Sequence, residues 1–249
     1  MQISGCTALV TGASRGIGAT FVEALISKDA DRVYAAMRKP VETDEPRVVP
    51  VDLDVTDVSR VRALAEELDD VDLVINNAGL LYMEGALTAP LDRVREQIEV
   101  NYVGLLAVSQ AFSPVLAANG GGAFVNVLSV GSFIGGPPFG PYAASKAAAW
   151  AVSNALRIEL WSQKTQVVGV HVGLVDTDMV AEIDMSKHHS GEAGKLPPGD
   201  VVEAALLGLE NGESEVLVDP YTRHIKSALG EDHALIYPEL QLAYNDLRS

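Results

Sequence analysis

The chain reads Thr11-Gly12-Ala13-Ser14-Arg15-Gly16-Ile17-Gly18 at the turn between a short apolar run and a helical pattern. The apolar run, Cys6 to Val10, predicts a buried strand, and Ile17, Phe21 and Leu25 recur at the spacing of one helix face. Glycines at such a turn let the backbone bend sharply and approach a pyrophosphate, which rests on the N-terminus of the helix. The spacing is G-x-x-x-G-x-G rather than the G-x-G-x-x-G of the best-known dinucleotide motif. The physical argument is the same, and it favours a nucleotide site over a plain strand-to-helix turn.

Short apolar segments alternate with helical patterns along most of the chain. This alternation predicts βαβ units and therefore the α/β class, with a doubly wound, Rossmann-type parallel sheet covered by helices on both faces. No proline- or glycine-rich linker divides the 249 residues, so we expect a single domain over residues 1–249. The predicted strands are Cys6–Val10, Asp31–Met37, Arg47–Leu53, Val71–Ile75, Ala123–Leu128, Gln166–Val172 and Glu215–Val218. The first predicted helix begins at Ile17. The other predicted helices cover residues 58–68, 91–116, 142–161 and 201–209.

The charge of the chain argues against some classes of partner. The net charge is −16 at pH 7 and the isoelectric point is near 4.6, so the field of the protein repels nucleic acids and anionic membranes. No apolar run reaches the ~20 residues of a membrane span, and the first residues lack the pattern of a signal peptide. We therefore expect a cytoplasmic protein with no nucleic-acid or membrane partner. The single cysteine, Cys6, excludes an internal disulfide and is typical of a buried thiol.

Two arginines stand where a doubly wound sheet would face the ribose of an adenosine. Arg15 lies inside the glycine turn, and Arg38 follows the second predicted strand. At the end of that strand an acidic residue would bind a ribose 2′-hydroxyl, whereas an arginine accommodates a 2′-phosphate. The strand ends with Ala36, Met37 and Arg38, without an acid, which favours NADP(H) over NAD(H). The alternative is that both arginines are solvated surface residues.

A tyrosine and a lysine lie four residues apart in Tyr142-Ala143-Ala144-Ser145-Lys146. On a helix this spacing puts both side chains on one face, one turn apart. Gly140-Pro141 predicts that the helix begins here, which places the phenol in its first turn. The ammonium and the helix dipole would lower the pKa of the phenol below its usual ~10, so that it could exchange a proton with a carbonyl or alcohol oxygen. The alternative is that the pair only covers a helix surface.

Together these residues resemble the classical short-chain dehydrogenase/reductase family over roughly the first 180 residues, in order and with family spacing. The loop Thr11–Gly18 is similar to the cofactor loop of that family, and its glycine spacing argues against the extended branch, whose loop is G-x-x-G-x-x-G. Asp54-Val55 resembles the pair that contacts the adenine, and Asn77-Ala78-Gly79 resembles the element after the fourth strand. The resemblance implies cofactor contacts from Gly12, Ser14, Arg15, Gly16, Ile17, Gly18, Arg38, Asp54, Val55, Asn77, Ala78, Gly79, Tyr142, Lys146, Gly173, Val175 and Thr177.

The resemblance also implies a catalytic tetrad, Asn101, Ser129, Tyr142 and Lys146, and hydride transfer between a nicotinamide and a carbonyl carbon. In the reduction direction Tyr142 would give its proton to the carbonyl oxygen, which Ser129 would hold. Lys146 would lower the pKa of Tyr142 and bind the nicotinamide ribose, and Asn101 would bind a water that resupplies the proton. The chemistry of the residues agrees with these roles: Tyr142 would be an acid whose pKa a neighbouring cation lowers, and Ser129 would donate its hydroxyl where negative charge develops on the oxygen. Considered alone, Ser129 could instead cap a strand end, and Asn101 could bond to a neighbour inside a helix.

The chain departs from the family pattern at three places. Val172-Gly173 replaces the usual Pro-Gly after the sixth strand, which would loosen the wall of the nicotinamide site without removing the contacts of Val175 and Thr177. Leu128 stands where a serine often precedes the catalytic serine. The tail, residues 231–249, replaces the frequent Val-Asp-Gly-Gly end, which is evidence against an acyl-carrier-protein ketoreductase.

Three segments are expected to line the substrate pocket: Ser132 to Phe139, Leu174, and a polar loop at 178–199 that we interpret as a lid. Adjacent His188 and His189 would point apart in regular structure and have no acidic ligands beside them, so no metal site is expected. An apolar pocket suits a hydrophobic ketone, aldehyde or secondary alcohol. The apolar residues that indicate such a pocket are Phe133, Ile134, Pro137, Pro138 and Phe139.

The sequence thus predicts an NADPH-dependent oxidoreductase of the carbonyl reductase or alcohol dehydrogenase type, acting on a small molecule. An NAD-dependent alcohol dehydrogenase of the same family is one alternative, and a non-catalytic NADP-binding sensor or scaffold is another, because fold does not fix function. A lyase or isomerase using Tyr142 as acid and base is a third. The resemblance implies a homodimer or homotetramer formed through the helices at 91–118 and 142–161.

Overall fold

Seven parallel strands form one sheet in the part of the chain that the structure describes. The structure is a computed structural model and describes residues 1–181 and 194–230. The strand order is 3-2-1-4-5-6-7, and every neighbouring pair is parallel. The predicted α/β, Rossmann-type architecture is therefore confirmed. The strands are β1 (Thr7–Thr11), β2 (Arg32–Met37), β3 (Val48–Asp52), β4 (Leu73–Asn76), β5 (Gly122–Val127), β6 (Thr165–His171) and β7 (Glu215–Leu217).

Helices cover both faces of this sheet. Within the described ranges they are α1 (Gly16–Ser27), α2 (Val58–Glu67), α3 (Leu91–Ile98), α4 (Leu105–Ala118), α5 (Gly140–Glu159), α6 (Pro198–Glu210) and α7 (Pro220–Ser227). Phe21 of α1 and Leu209 of α6 are buried in the core on one face. Phe112 of α4 and Leu156 of α5 are buried in the core on the other face.

Residues of the central strands alternate between these two cores. In β1, Ala8 and Val10 belong to the core under α1, whereas Leu9 belongs to the core under α4. Full burial of a side chain such as Leu9 stabilises the fold by about 1.5–3 kcal/mol. Because both faces of the sheet are covered, central strands such as β1 and β4 are nearly continuous apolar runs in the sequence rather than alternating ones.

The strand order reverses at β1, which pairs with β2 on one side and with β4 on the other. At such a switch point the connections leave in opposite directions and open a crevice at the carboxyl ends of the strands, where ligands of α/β proteins bind. The glycine turn Thr11–Gly18 and the segment Asn77–Gly79 both lie at this crevice. The topology therefore brings together two segments that are more than fifty residues apart in the chain.

The predicted helix over 91–116 is continuous but not uniform. α3 passes into a π-helical turn, Glu99–Gly104, and this turn passes into α4, which contains Pro114. Such π turns often occur at functional sites, and this one carries Asn101. By length and mean hydropathy (1.4) the run Leu91–Ala118 could cross a membrane, a test that buried core helices also pass.

The C-terminal part differs most from the sequence prediction. α6 begins at Pro198, inside the predicted 178–199 loop, and Leu196 pairs with Val175. α7 has no counterpart among the predicted elements; the side chain of Asp219 caps it by accepting a hydrogen bond from the Thr222 amide. Two predicted features, the middle of the lid (182–193) and the tail (231–249), lie outside the described residues.

Candidate functional site

A cleft of about 480 Å³ opens at the carboxyl ends of the central strands. It contains the residues to which the sequence assigns a cofactor or catalytic role, with two exceptions, Gly18 and Asn101. Both exceptions are buried behind the surface of the cleft. The glycine loop occupies one part of the cleft, and Tyr142 with its neighbours occupies another, so the predicted cofactor and catalytic residues share one cavity.

The glycine loop is shaped by close approaches that only glycine permits. Gly12 has φ +66°, and a Cβ there would lie 2.9 Å from the Cα of Ala78. Gly18 has ordinary helical φ, but a Cβ there would lie 2.2 Å from the carbonyl oxygen of Gly12. Asn77 stabilises the turn because its Nδ2 donates to the carbonyl oxygens of Thr11 and Gly12, at 3.0 and 3.1 Å.

The start of α1 can hold an anion. No side chain caps this helix within the described chain, and its first turn contains no acidic residue. Its free backbone N–H groups and the positive end of its dipole face the glycine turn. The loop and this helix start therefore fit the pyrophosphate of a dinucleotide.

Arg38 and Asp54 lie where the adenosine would be placed, after β2 and β3. Burial tends to raise the pKa of Asp54, but hydrogen bonds from the backbone and hydroxyl of Thr56, together with the charge of Arg38, hold it below its usual value. Arg38 is exposed and lines the cleft. Arg15 also lines the cleft, but its guanidinium pairs with Asp178 at 3.2 Å, and both side chains are more than 70% exposed. Of the two arginines, Arg38 is therefore the better placed for a 2′-phosphate.

Tyr142 lies in the first turn of α5, and Lys146 lies one turn further along, as predicted. Lys146 is buried, its Nζ donates to the carbonyl oxygen of Val127 at 2.9 Å, and burial lowers its pKa to about 8. Burial raises the pKa of Tyr142, and a hydrogen bond with the Ser129 side chain offsets only part of this rise. This direction is opposite to the one predicted from the sequence. The ammonium lies 5.9 Å from the centroid of the phenol ring, so its attraction does not outweigh desolvation of the phenolate.

Ser129 lies two residues after the end of β5 and is buried beside Tyr142. Its Oγ accepts a hydrogen bond from the amide of Gly131 at 3.0 Å, which caps the short 3₁₀ turn Val130–Ser132. The hydroxyl therefore caps a turn and also bonds to Tyr142. Because the Gly131 amide occupies only a lone pair of Oγ, the hydroxyl keeps its hydrogen to donate, either to the Tyr142 oxygen, whose pKa this bond lowers, or to an acceptor in the cleft.

Asn101 uses its amide to fix the loop after β4. Its Oδ1 accepts from the amide of Leu80 at 2.7 Å, and its Nδ2 donates to the Leu80 carbonyl at 2.8 Å and to Ser145 Oγ at 2.9 Å. Both Nδ2 hydrogens are thus engaged. A water bound to Asn101 would have to use the second lone pair of Oδ1 or the main chain.

The wall formed by Gly173, Val175 and Thr177 is held in place without the usual proline. The amide of Gly173 donates to Asp219 Oδ2 at 2.8 Å, and the carbonyl of Val172 accepts from the amide of Val130 at 2.8 Å. Asp219 is buried and also caps α7. These bonds fix the wall that the sequence suggested would be loosened.

The substrate end of the cleft is mainly apolar. Of the expected segment Ser132 to Phe139, half does not line the cleft, namely Ser132, Phe133, Gly135 and Pro138. Phe133 packs instead against Trp150 and His171. Tyr221, on the unpredicted helix α7, is a lining residue that sequence reasoning missed, although Asp219-Pro220 is a helix-start signal. The apolar and aromatic lining consists of Leu81, Ile134, Pro137, Phe139, Leu174, Met179, Val180 and Tyr221.

No metal site was expected, and in residues 1–181 and 194–230 no group of three or more His, Cys, Asp or Glu side chains could hold a metal ion. His188 and His189 lie outside the described residues.

Comparison with known proteins places these features in one family. A family model for short chain dehydrogenases matches residues 6–188. The chain is 31% identical over 242 residues to an NADP-dependent 3-hydroxy acid dehydrogenase of Schizosaccharomyces pombe, covering 88% of this chain and 92% of that protein. It is 34% identical over 208 residues to a 1-deoxy-11-beta-hydroxypentalenate dehydrogenase of Streptomyces exfoliatus, covering 77% and 75%. A solved short chain dehydrogenase of Burkholderia cenocepacia J2315 in complex with NADP matches with a TM-score of 0.88 at 39% identity, covering 96% and 99%.

Proposed function

Because the chain belongs to the short-chain dehydrogenase family, we propose that it is an NADPH-dependent oxidoreductase acting on a hydrophobic ketone, aldehyde or secondary alcohol. Family membership establishes the coarser statement, an NAD(P)-dependent oxidoreductase of CH–OH groups. The proposal adds NADP(H) as the preferred cofactor and an uncharged, apolar substrate.

The observation that carries the proposal is the common cleft of the glycine loop and of Ser129, Tyr142 and Lys146. When bound, the nicotinamide cofactor supplies or accepts the hydride. Tyr142 donates its proton to the carbonyl oxygen during reduction; its raised pKa keeps that proton in place at neutral pH. Ser129 donates a hydrogen bond to the same oxygen as negative charge develops on it. Lys146 holds a positive charge below about pH 8 and stabilises the phenolate that remains.

The preference for NADP(H) rests on Arg38. This exposed guanidinium follows β2 and lies close enough to Asp54 to lower the pKa of that carboxyl. It lines the cleft at the position where the fold presents an acidic residue to a ribose 2′-hydroxyl or an arginine to a 2′-phosphate. Two of the similar proteins, from Schizosaccharomyces pombe and Burkholderia cenocepacia, are described with NADP.

The substrate proposal rests on charge as well as on apolar lining. Among the described lining residues the cations are Arg15, Arg38 and Lys146. The first two belong to the cofactor part of the cleft, and Lys146 is bonded to Val127. The carboxylate of a hydroxy acid, the substrate class of the Schizosaccharomyces pombe relative, would therefore meet no free cation among these residues. An uncharged ketone or alcohol suits the lining better.

The assembly and the location of the protein are also proposals. We expect a homodimer or homotetramer formed through the helices at 91–118 and 142–161. Ile158 of α5 and Trp161 just after it are 78% and 81% exposed, and large exposed apolar side chains are typical of contact surfaces. The strongly negative net charge agrees with a cytoplasmic protein that has no nucleic-acid or membrane partner.

The test is oxidation of NADPH and NADH in the presence of apolar ketones and aldehydes and, in parallel, of 3-oxo acids. We expect turnover with NADPH on the apolar compounds and its loss in Tyr142→Phe, which should still bind NADPH. Tight NADPH binding without turnover on either class would favour a sensor or scaffold. Conversion of substrate without net cofactor consumption would indicate a lyase or isomerase.

Cofactor preference needs its own pair of variants. Arg38→Asp should weaken NADPH binding about tenfold to a hundredfold, as expected for the loss of a charge-assisted hydrogen bond, and should leave NADH binding unchanged. Lys39→Asp is the matched control, because Lys39 is the next residue, is also exposed and does not line the cleft. Equal effects of the two substitutions on NADPH affinity would mean that the change in charge, and not a contact of Arg38 with the 2′-phosphate, causes the loss. That result would favour the NAD-dependent alternative.

A further inference from the structure

His171, at the end of β6, is fully buried directly behind Ser129. Its Nδ1 lies 3.3 Å from the main-chain carbonyl oxygen of Ser129. A carbonyl oxygen can only accept a hydrogen bond, so the bond requires the proton on Nδ1. The same carbonyl accepts the amide of Ser132 at 2.9 Å. Two donors therefore hold the peptide plane that follows the Ser129 hydroxyl.

The imidazole ring is packed between two aromatic side chains and a glycine. Phe133 stacks on it, with ring centroids 4.2 Å apart and an interplanar angle of 22°, and Trp150 lies edge-to-face, with ring centroids 6.2 Å apart and an interplanar angle of 86°. Gly169 lies two residues earlier on the same strand and therefore on the same face. A Cβ at Gly169 would come within 3.3 Å of His171 Nε2. The absence of a side chain at Gly169 thus makes room for the ring.

A charged cluster closes the far side of the ring. Glu215 accepts hydrogen bonds from Trp150 Nε1 at 2.7 Å and forms an ion pair with Lys226 at 2.9 Å. Lys226 Nζ lies 4.6 Å from the Phe133 ring and 4.4 Å from the Trp150 ring. The Glu215 carboxylate is 3.7 Å from His171 Nε2, and this nitrogen has no hydrogen-bond partner among the described residues. The cluster fixes Phe133 and Trp150 around the ring, and the imidazole makes its single hydrogen bond to Ser129.

We propose that His171 is a positioning residue for the reaction: its Nδ1–H holds the Ser129 carbonyl and thereby aims the Ser129 hydroxyl at Tyr142 and at the substrate oxygen. This inference rests on the proposed function, because it assigns a task to the Ser129 hydroxyl. The main chain beside Ser129 is bonded to β6, from the Leu128 amide to Val170 and from the Val130 amide to Val172, both at 2.8 Å. His171 supplies the contact from β6 to Ser129 itself.

The experiment compares His171→Asn with His171→Leu. The Nδ2 of asparagine occupies nearly the position of Nδ1 and can donate to the same carbonyl, whereas leucine keeps apolar volume and has no donor. Because the Ser129 hydroxyl acts on charge that develops in the transition state, its misplacement should lower kcat more than it raises KM. His171→Leu should lower kcat about three- to tenfold, the worth of one hydrogen bond. His171→Asn should recover most of this loss, and both should bind NADPH with wild-type affinity.

Repeating the His171→Leu substitution in a Ser129→Ala protein distinguishes positioning of the Ser129 hydroxyl from a general structural effect. In Ser129→Ala the hydroxyl is absent, so His171→Leu should cause no further fall in kcat. Equal fold losses in the wild-type and Ser129→Ala backgrounds would overturn the proposal, and so would a kcat for His171→Asn no higher than that of His171→Leu. If His171→Leu does not fold, His171→Gln replaces it, because its amide lies one atom beyond the Nδ1 position; asparagine must then give the higher kcat. Failure of wild-type turnover on every carbonyl would instead refute the proposed function.

Discussion

Acidification should destabilise this protein partly through His171. Burial lowers the pKa of His171 from its usual 6.5 to about 4; Ser129 and Glu215 oppose this shift, while Lys226 and Arg157 add to it. Between these two pKa values the unfolded chain binds a proton that the folded protein does not, so the free energy of unfolding falls as the pH falls from 6.5 to 4. The difference of about 2.5 pH units, at about 1.4 kcal/mol each, corresponds to about 3 kcal/mol, of which about 2 kcal/mol is lost by pH 5.

The assay is urea unfolding at pH 7.5 and pH 5, followed by tryptophan fluorescence, in the wild type and in His171→Asn. The contribution of Asp72 to the pH dependence must be subtracted, because burial raises the pKa of Asp72 to about 6 and its protonation stabilises the folded protein as the pH falls. Both proteins contain Asp72, so the difference between them isolates the imidazole. The wild type should lose about 2 kcal/mol more than the variant between the two pH values. Equal losses would refute the conclusion that His171 is buried as a neutral base.

Three further predictions concern the cleft. Gly18→Ala should weaken binding of NADPH and NADH about tenfold or more, because its Cβ would lie 2.2 Å from the Gly12 carbonyl oxygen; Gly199→Ala, where a Cβ meets nothing within 4 Å, should leave both affinities unchanged, as titrations of each protein will show. Tyr221→Ala should widen the apolar end of the cleft and raise kcat/KM for bulky ketones relative to small ones; an unchanged ratio across a ketone series would exclude this side chain from the substrate site. Asp178→Asn should free Arg15 and raise the NADPH-to-NADH affinity ratio by up to about fivefold, the worth of one exposed ion pair; an unchanged ratio would show that Arg15 does not reach the cofactor.

The sheet could be predicted from the sequence because each central strand buries both faces. Ala8, Leu9 and Val10 enter two different cores, and so they form an unbroken apolar run that a single-sequence pattern detects. α7 could not be found in this way. It has eight residues, and its buried side chains, Thr222 and Ile225, are too few to give a helical period. Its start was marked only by Asp219-Pro220, a signal that also occurs at turns.

The residues of the candidate site were easier to predict than their energetics. The spacing of Tyr142 and Lys146 predicts that both side chains lie on one face of a helix, and in the structure both residues lie on α5, one turn apart. The direction of the Tyr142 pKa shift depends on two quantities that the spacing does not contain, the burial of the phenol and the direction in which the lysine side chain extends. Here Lys146 Nζ extends to Val127 rather than to the phenol oxygen, and burial decides the direction. The contact of His171 with Ser129 is equally invisible in sequence, since forty-two residues separate them.

The charge of the chain and the charge of its cleft lead to different conclusions about partners. A net charge of −16 repels an extended polyanion, which would need a broad basic surface. It acts weakly on a single phosphate inside a cleft, because at ~0.15 M salt charges separated by more than ~8 Å are largely screened. The contacts that we propose there are Arg38, Arg15 and the start of α1, and two carboxylates, Asp54 and Asp178, already interact with these arginines. On this proposal the choice between the two cofactors is made within the cleft, by whether a 2′-phosphate competes with these carboxylates for the guanidinium groups.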